Sequence, residues 1–323
     1  MRSAPKRSPR GKEKQLGTIA VILNGAAGNG HDEQRVSELR EKFLAHGLDA
    51  RITLADSGDA MTAAAQAAVA RGVGIVVAGG GDGTINAVAA VLAGTETGFG
   101  VLPLGTLNHF AKDMGIPLKL DEAVATIATG VRQVVDVGDV NDHVFLNNSS
   151  LGLYPDIVRD REKQQARLGR GKWLAACWAT LGALRRYPFL HIRMTLDDGK
   201  EQRRSTPFVF IGNNTYTMQG FDIGARERLD GGTLSLYVAQ RPGRLGLLRL
   251  GWSALCGRLA QEKDFDVLAT RHMVIETRHA RLRVATDGEV TVMTTPLCYR
   301  IRPAALSVIV PAPSSVQNEQ ETP

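Results

Sequence analysis

From Gly17 to Gly130 the chain alternates between two periodicities. The β-branched run TIAVIL (18–23) ends in a glycine-rich stretch, and Val36, Leu39, Phe43 and Leu44 follow at helical spacing up to Gly47. ARITL (50–54) then predicts a strand, the alanine-rich 59–71 a helix closed by Gly72, and the wholly apolar GIVVA (74–78) a buried strand. Ile85, Val88 and Leu92 mark another helix, FGVLP (99–103) a fourth strand, and Asp121 the cap of a short helix ending at Gly130. Strand and helix in alternation predict a parallel sheet covered on both faces.

After about Val134 the period shortens to two. HVFLN (143–147), HIRMTL (191–196), TPFVFIG (206–212), TLSLYVA (233–239), HMVIET (272–277) and RLRVAT (281–286) read as strands, with Asp198-Gly199 and Asp287-Gly288 as hairpin turns. Helical insertions interrupt this half near 158–186 and 243–262, and LSVIVP (306–311) suits a strand of either half. The expected fold class is α/β: an N-terminal parallel-sheet nucleotide-binding domain and a C-terminal mainly antiparallel β domain. The expected divisions are a disordered basic tail (1–15), the α/β domain (16–137), the β-rich domain (138–312) and a disordered tail (313–323).

The 323 residues are enough for two modest cores. Cys177, Cys256 and Cys298 lie far apart, and no histidine pair has HExxH or HxxxH spacing, so neither a disulfide framework nor a zinc site is expected. A reducing compartment, the cytoplasm, fits. The net charge of +6 is uneven: residues 1–15 carry six cations against Glu13, and the tail from Ser314 carries only Glu319 and Glu321. The middle therefore holds about +3, which argues against nucleic acid as the partner. The longest apolar run, Trp173 to Leu184, is too short to span a bilayer.

The strongest chemical signal is Gly79-Gly80-Gly81-Asp82-Gly83-Thr84, between a buried strand and a helix start. Glycines there let backbone N–H groups approach phosphate oxygens, and the helix N-terminus favours the anion. Asp82 can hold Mg²⁺ or orient a hydroxyl; the plainer alternative is a tight turn with an Asp cap. A second loop, Leu102 to Ala111, follows the next strand, and a third, Asn24 to Gly30, follows the first strand. Thr53 is expected at the end of the second strand. In a parallel sheet all of these face one crevice at the carboxyl edge.

Taken in order, GGGDGTINAV, LPLGTLNHFAKDMGIP, VVDVGDVNDHVFLNN, RLDGGTLSLYV and VATDGE resemble the diacylglycerol kinase catalytic family, which includes sphingosine and ceramide kinases and bacterial lipid kinases. The resemblance spans about Thr18 to Pro311. Its Gly-Gly-Asp-Gly-Thr element is shared with NAD kinases and phosphofructokinases; the Pro-Leu-Gly-Thr-x-Asn element is more specific to lipid kinases. It implies an NAD-kinase-like nucleotide domain, a β-rich second domain and a site between them. ATP would lie against Asn24, Gly25, Ala26, Ala27, Gly28, Thr53, Gly80, Gly81, Asp82, Gly83, Thr84, Asn86, Gly105, Thr106 and Asn108. Glu289, in Asp287-Gly288-Glu289, matches the family's catalytic acid and would act as general base on the acceptor hydroxyl, with Asp82 the other candidate. Read without the resemblance, Asp287-Gly288 is an ordinary hairpin turn. Mg²⁺ would accompany ATP, with Asp287 and Asp230 as the metal positions.

Three departures stand out. Asn24-Gly25 replaces the usual Asn-Pro, His109 stands where an Asp is common, and Leu229-Asp230-Gly231-Gly232 lacks the second Asp of Leu-Asp-Asp-Gly. On the lipid side, 158–186 and 244–258 mix arginines and lysines with Trp and Leu, which suits an anionic bilayer surface or, alternatively, packing on the β domain. The expected partner is a lipid substrate met at the membrane surface by peripheral contact, with a homodimer left open. Two other readings stay open: a small-molecule kinase of the NAD-kinase type, and a non-catalytic nucleotide- and lipid-binding protein.

Overall fold

The computed structural model describes residues 17–25, 32–152, 190–219, 222–226, 228–239 and 265–313. The two helical insertions, both tails apart from Pro313, and Ala26 to Gly28 of the loop after the first strand lie outside the described residues.

The first lobe comprises β1 (Gly17–Asn24), α1 (Asp32–Ala45), β2 (Leu48–Ala55), α2 (Gly58–Ala70), β3 (Ile75–Gly80), α3 (Asp82–Leu92), β4 (Gly98–Pro103), α4 (His109–Asp113) and α5 (Leu120–Thr129). Strands β2-β1-β3-β4 pair in parallel. Because side chains alternate along a strand, Ile19, Val21 and Leu23 of β1 join Leu39 and Phe43 of α1 and Val124 and Ile127 of α5 on one face. Ala20 and Ile22 join Met61 and Ala65 of α2 and Ile85 and Val88 of α3 on the other. Both faces are thus covered by helices. Ser57 caps α2 by accepting the Ala60 N–H at 3.2 Å. The cap of α5 is Lys119 rather than Asp121, which sits in the first turn, where a carboxylate favours the helix dipole.

The second lobe contains β5 (Val131–Val140), β6 (His143–Phe145), β7 (Asn148–Gly152), β8 (Leu190–Leu196), β9 (Glu201–Thr206), β10 (Phe208–Asn213), β11 (Tyr216–Gln219) and β12 (Asp222–Arg226). Then follow β13 (Leu234–Ala239), β14 (Phe265–Thr270), β15 (His272–Thr277), β16 (Arg281–Thr286), β17 (Glu289–Thr294) and β18 (Leu297–Val310). Strands β14-β13-β10-β7-β16-β17 form an antiparallel six-stranded sheet. Its inward residues, among them Val209, Ile211, Leu236 and Val284, pack on Met194, Met273, Ile275 and Tyr299 from the other sheet. Inside this sandwich the Ser149 and Tyr299 hydroxyls meet at 3.0 Å, which satisfies both polar groups.

The first-lobe sheet does not end at β4. The expected short strand 306–311 is the second half of the long β18, which lies between β15 and β5 at Tyr299 and between β4 and β5 at Val308. The expected division at 137/138 falls inside β5. One mixed sheet therefore runs through both lobes. The bulge between Arg302 and Leu306 includes Ala304 at φ 51°, whose N–H donates to Asp136 Oδ1 at 2.8 Å. The other oxygen of this buried carboxylate accepts the Gly232 N–H at 2.7 Å, tying the 229–232 turn to the seam.

Leu306 is fully buried just past the bulge. Leu306→Ala is expected to cost about 2–5 kcal/mol, read as a lower urea midpoint by circular dichroism.

Candidate functional site

Register fixes the rim. Asn24 pairs with Ala55, Leu23 with Gly79 and Gly80 with Pro103, so the chain leaves β1, β2, β3 and β4 at one edge of the sheet. Thr53 is not at that edge: β2 continues to Ala55, and the group that meets the loop after β1 is Asp56, whose carboxylate lies against Gly25.

Gly79 and Gly80 end β3, and Gly81 caps α3. Any Cβ on Gly80 would strike the Thr84 side chain, and one on Gly105 would come 2.5 Å from Gly81 Cα. The two glycine loops therefore touch backbone to backbone, an approach only glycine permits. Three side chains brace the loops. Asn108, buried at φ 50°, donates to Gly105 O at 2.8 Å and Pro103 O at 3.3 Å and accepts the Gly105 N–H at 3.1 Å. Asp82 Oδ1 accepts the Phe110 N–H at 3.4 Å, and Asn24 donates to Thr84 Oγ1 at 3.4 Å. Thr106 and His109 are exposed beside them. Asn86 faces the second lobe instead: its Nδ2 donates to Val144 O at 3.4 Å, and its buried Oδ1 has no hydrogen-bond partner.

The second lobe supplies the other wall. Asp287-Gly288 is the turn between β16 and β17, with Thr286 opposite Glu289 and φ values of 49° and 89°. Two positive φ angles mark a type I′ hairpin, which Asp-Gly favours. This turn carries Glu289 to the rim: a Cβ on Gly83 would lie 2.9 Å from Glu289 Oε1. The acidic hairpin of one lobe thus reaches the glycine loop of the other, with Glu289 beside Gly83.

Asp287 gives both oxygens to backbone donors: Leu146 N–H at 2.7 Å, Asn147 N–H at 2.8 Å and Asn148 N–H at 3.0 Å. Burial pushes its carboxyl up, while those amides and Arg226 favour the charged form. Three donors aimed at two oxygens suit a carboxylate, which has only acceptors. Asp230 is exposed and paired with Arg228 at 3.0 Å, which holds its carboxyl below the usual range. No group of three or more His, Cys, Asp or Glu side chains able to hold a metal occurs among the described residues.

Sequence reasoning missed Asp113 and Arg226. Arg226 Nη2 meets Asp113 Oδ2 at 2.7 Å across the lobes, with the arginine side chain 0% exposed. In GARERLDGG this residue looks like any surface cation; no periodicity marks it as buried.

These features define a two-lobed, nucleotide-binding type of fold with its candidate site at the seam. Comparison with known proteins gives the family. Residues 18–140 match the diacylglycerol kinase catalytic domain, and residues 156–310 match the YegS C-terminal NAD kinase beta sandwich-like domain. The chain is 32% identical over 275 residues to a Pseudomonas savastanoi pv. phaseolicola protein named "Probable lipid kinase YegS-like", covering 83% of this chain and 86% of that one. It is 28% identical over 309 residues to a "Diacylglycerol kinase" of Mycobacterium tuberculosis (strain ATCC 25618 / H37Rv), covering 93% and 97%. The crystal structure of a diacylglycerol kinase from Bacillus anthracis str. Sterne shares the fold at a TM-score of 0.66 and 21% identity, over 92% of this chain and 97% of that one. The chain belongs to the diacylglycerol kinase catalytic-domain family, among its YegS-like lipid kinases. Membership of a kinase family implies use of ATP. Among the described residues, no helix is long and apolar enough to cross a membrane.

Gly105→Ala is expected to force the two glycine loops apart. ATP affinity falls about tenfold or more and stability by about 1–3 kcal/mol, read by calorimetric titration and thermal melting.

Proposed function

We propose that the protein transfers the γ-phosphoryl group of ATP to the hydroxyl of a diacylglycerol-like lipid, with Glu289 as general base. The observation that carries this reading is the contact between Glu289 and Gly83, which sets a carboxylate from one lobe against the glycine loop of the other. The triphosphate lies along the rim, where the 79–84 and 105–106 amides offset its charge. As the lipid oxygen bonds to the γ-phosphorus, the bond to the β-phosphate oxygen breaks, the hydroxyl proton passes to Glu289 and ADP leaves.

Mg²⁺ supplies further charge neutralisation when bound. Such an ion needs only one or two carboxylates besides phosphate oxygens and water, and Asp82 at the start of α3 fits that role. Asp287 and Asp230 suit it less, being engaged with backbone amides and with Arg228 respectively. The lipid is met by peripheral contact with a membrane surface.

Labelled ATP offered to a panel of diacylglycerol, sphingosine, ceramide, polyprenol and NAD tests the reading. Phosphorylation of diacylglycerol is expected; labelling of NAD alone, or of nothing, sinks it. Glu289→Gln is expected to lower turnover at least 100-fold with ATP affinity unchanged. Gly83→Ala, whose methyl group meets only the tip of a flexible side chain, is expected to fold normally and lower kcat by about tenfold through displacement of Glu289.

A further inference from the structure

A buried charged network joins the two candidate acidic groups by a second route, away from the phosphate loops. Arg226, the last residue of β12, uses all five guanidinium N–H groups. Nε and Nη2 bond Asp113 Oδ2 at 2.9 and 2.7 Å, and Nη2 also bonds Asn147 Oδ1 at 2.9 Å. Nη1 bonds Leu146 O at 2.7 Å and Asn213 O at 3.4 Å. Its carbon lies 5.6 Å from the centre of the Tyr216 ring. No donor remains for a phosphate or carboxylate ligand, so this arginine is not a substrate-binding cation.

What it holds is more telling. Asp113 ends α4, and Phe110 of the same helix donates its N–H to Asp82. Leu146 and Asn147 lie between β6 and β7, and their N–H groups, with that of Asn148, are the ones Asp287 accepts. Asp287 N–H returns a bond to Asn148 O at 2.9 Å, and two residues on stands Glu289, against Gly83. The contacts therefore form a closed ring: Asp82, α4, Asp113, Arg226, the 146–148 segment, Asp287, Glu289, Gly83 and back to Asp82.

We infer that Arg226 and Asp287 are positioning residues for phosphoryl transfer, holding the Glu289 hairpin of the second lobe at a set distance from the Asp82 loop of the first. This rests on the kinase reading above. Stability alone is a weak reason for such a group, since a buried ion pair replaced by well-packed apolar residues is often no less stable. A planar fork does what an apolar contact does not: it fixes the direction between a carboxylate in one lobe and three acceptors in the other. Misplacing a catalytic group by about 1 Å costs on the order of 100-fold in rate.

The test uses the full chain, with Arg226→Lys and Asp287→Asn, in detergent micelles of diacylglycerol supplemented with total lipid extract. Arg226→Lys keeps the charge and loses the fork. ATP-binding stoichiometry is measured by calorimetry and kcat is expressed per ATP site. Both variants are expected to bind ATP with unchanged stoichiometry and a Kd within about threefold of wild type, while kcat per site falls at least tenfold. Wild-type kcat per site in both variants overturns the proposal and leaves the kinase reading intact. The same holds if activity falls only in step with the number of ATP sites, or if neither variant folds, because the network is then only a structural staple. A wild-type protein that labels no lipid sinks the kinase reading, and the positioning role with it.

Discussion

Everything at the candidate site depends on β18 being paired on both edges along its length, with β15 and β5 at Tyr299 and β4 and β5 at Val308. Two lobes joined by a flexible linker move relative to one another by default. Here the linker is itself a ladder of backbone hydrogen bonds, and both hydrophobic cores pack against the same sheet. The separation between the Asp82 loop and the Glu289 hairpin is therefore set by strand geometry. The bulge at Ala304, held by Asp136, bends that ladder where one core gives way to the other.

Around the seam the buried charged groups are hydrogen-bonded. Asp136 and Asp287 direct their oxygens at backbone N–H groups in segments far apart in sequence, and Arg226 spans the Asp113 carboxylate and the Leu146 carbonyl. A buried carboxylate that accepts backbone N–H groups immobilises the segment that donates them, at the cost of desolvating a charge. Loops that carry glycines for close approach to a ligand have little side-chain packing of their own. These acceptors, with Asn108 inside the second loop, provide the rigidity that glycine cannot.

The corrections share one cause. The β-branched run ARITL predicts Thr53 near the end of its strand, yet β2 continues through Ala55 since the parallel ladder with β1 continues to Asn24. Residue type predicts Asp121 as a cap, and the helix begins one residue before it. The strand 306–311 was legible as a strand, but its continuity with 297–302 was not, because Pro303 and Ala304 look like a break and are a bulge. Local pattern states preference; a ladder formed with distant residues overrides it at the ends of elements.

The sequence by itself determined the class of fold, the glycine loops at the carboxyl ends of parallel strands, and the Asp-Gly hairpin, because each follows from periodicity or from a backbone angle that few residues tolerate. Only the tertiary structure decided that Glu289 faces Gly83, that Asp287 grips the 146–148 amides, and that Arg226 is a buried fork onto Asp113. These contacts join residues more than 110 positions apart, and what brings them together is the burial of two cores against one shared sheet, a property of the folded whole that no local stretch of chain contains.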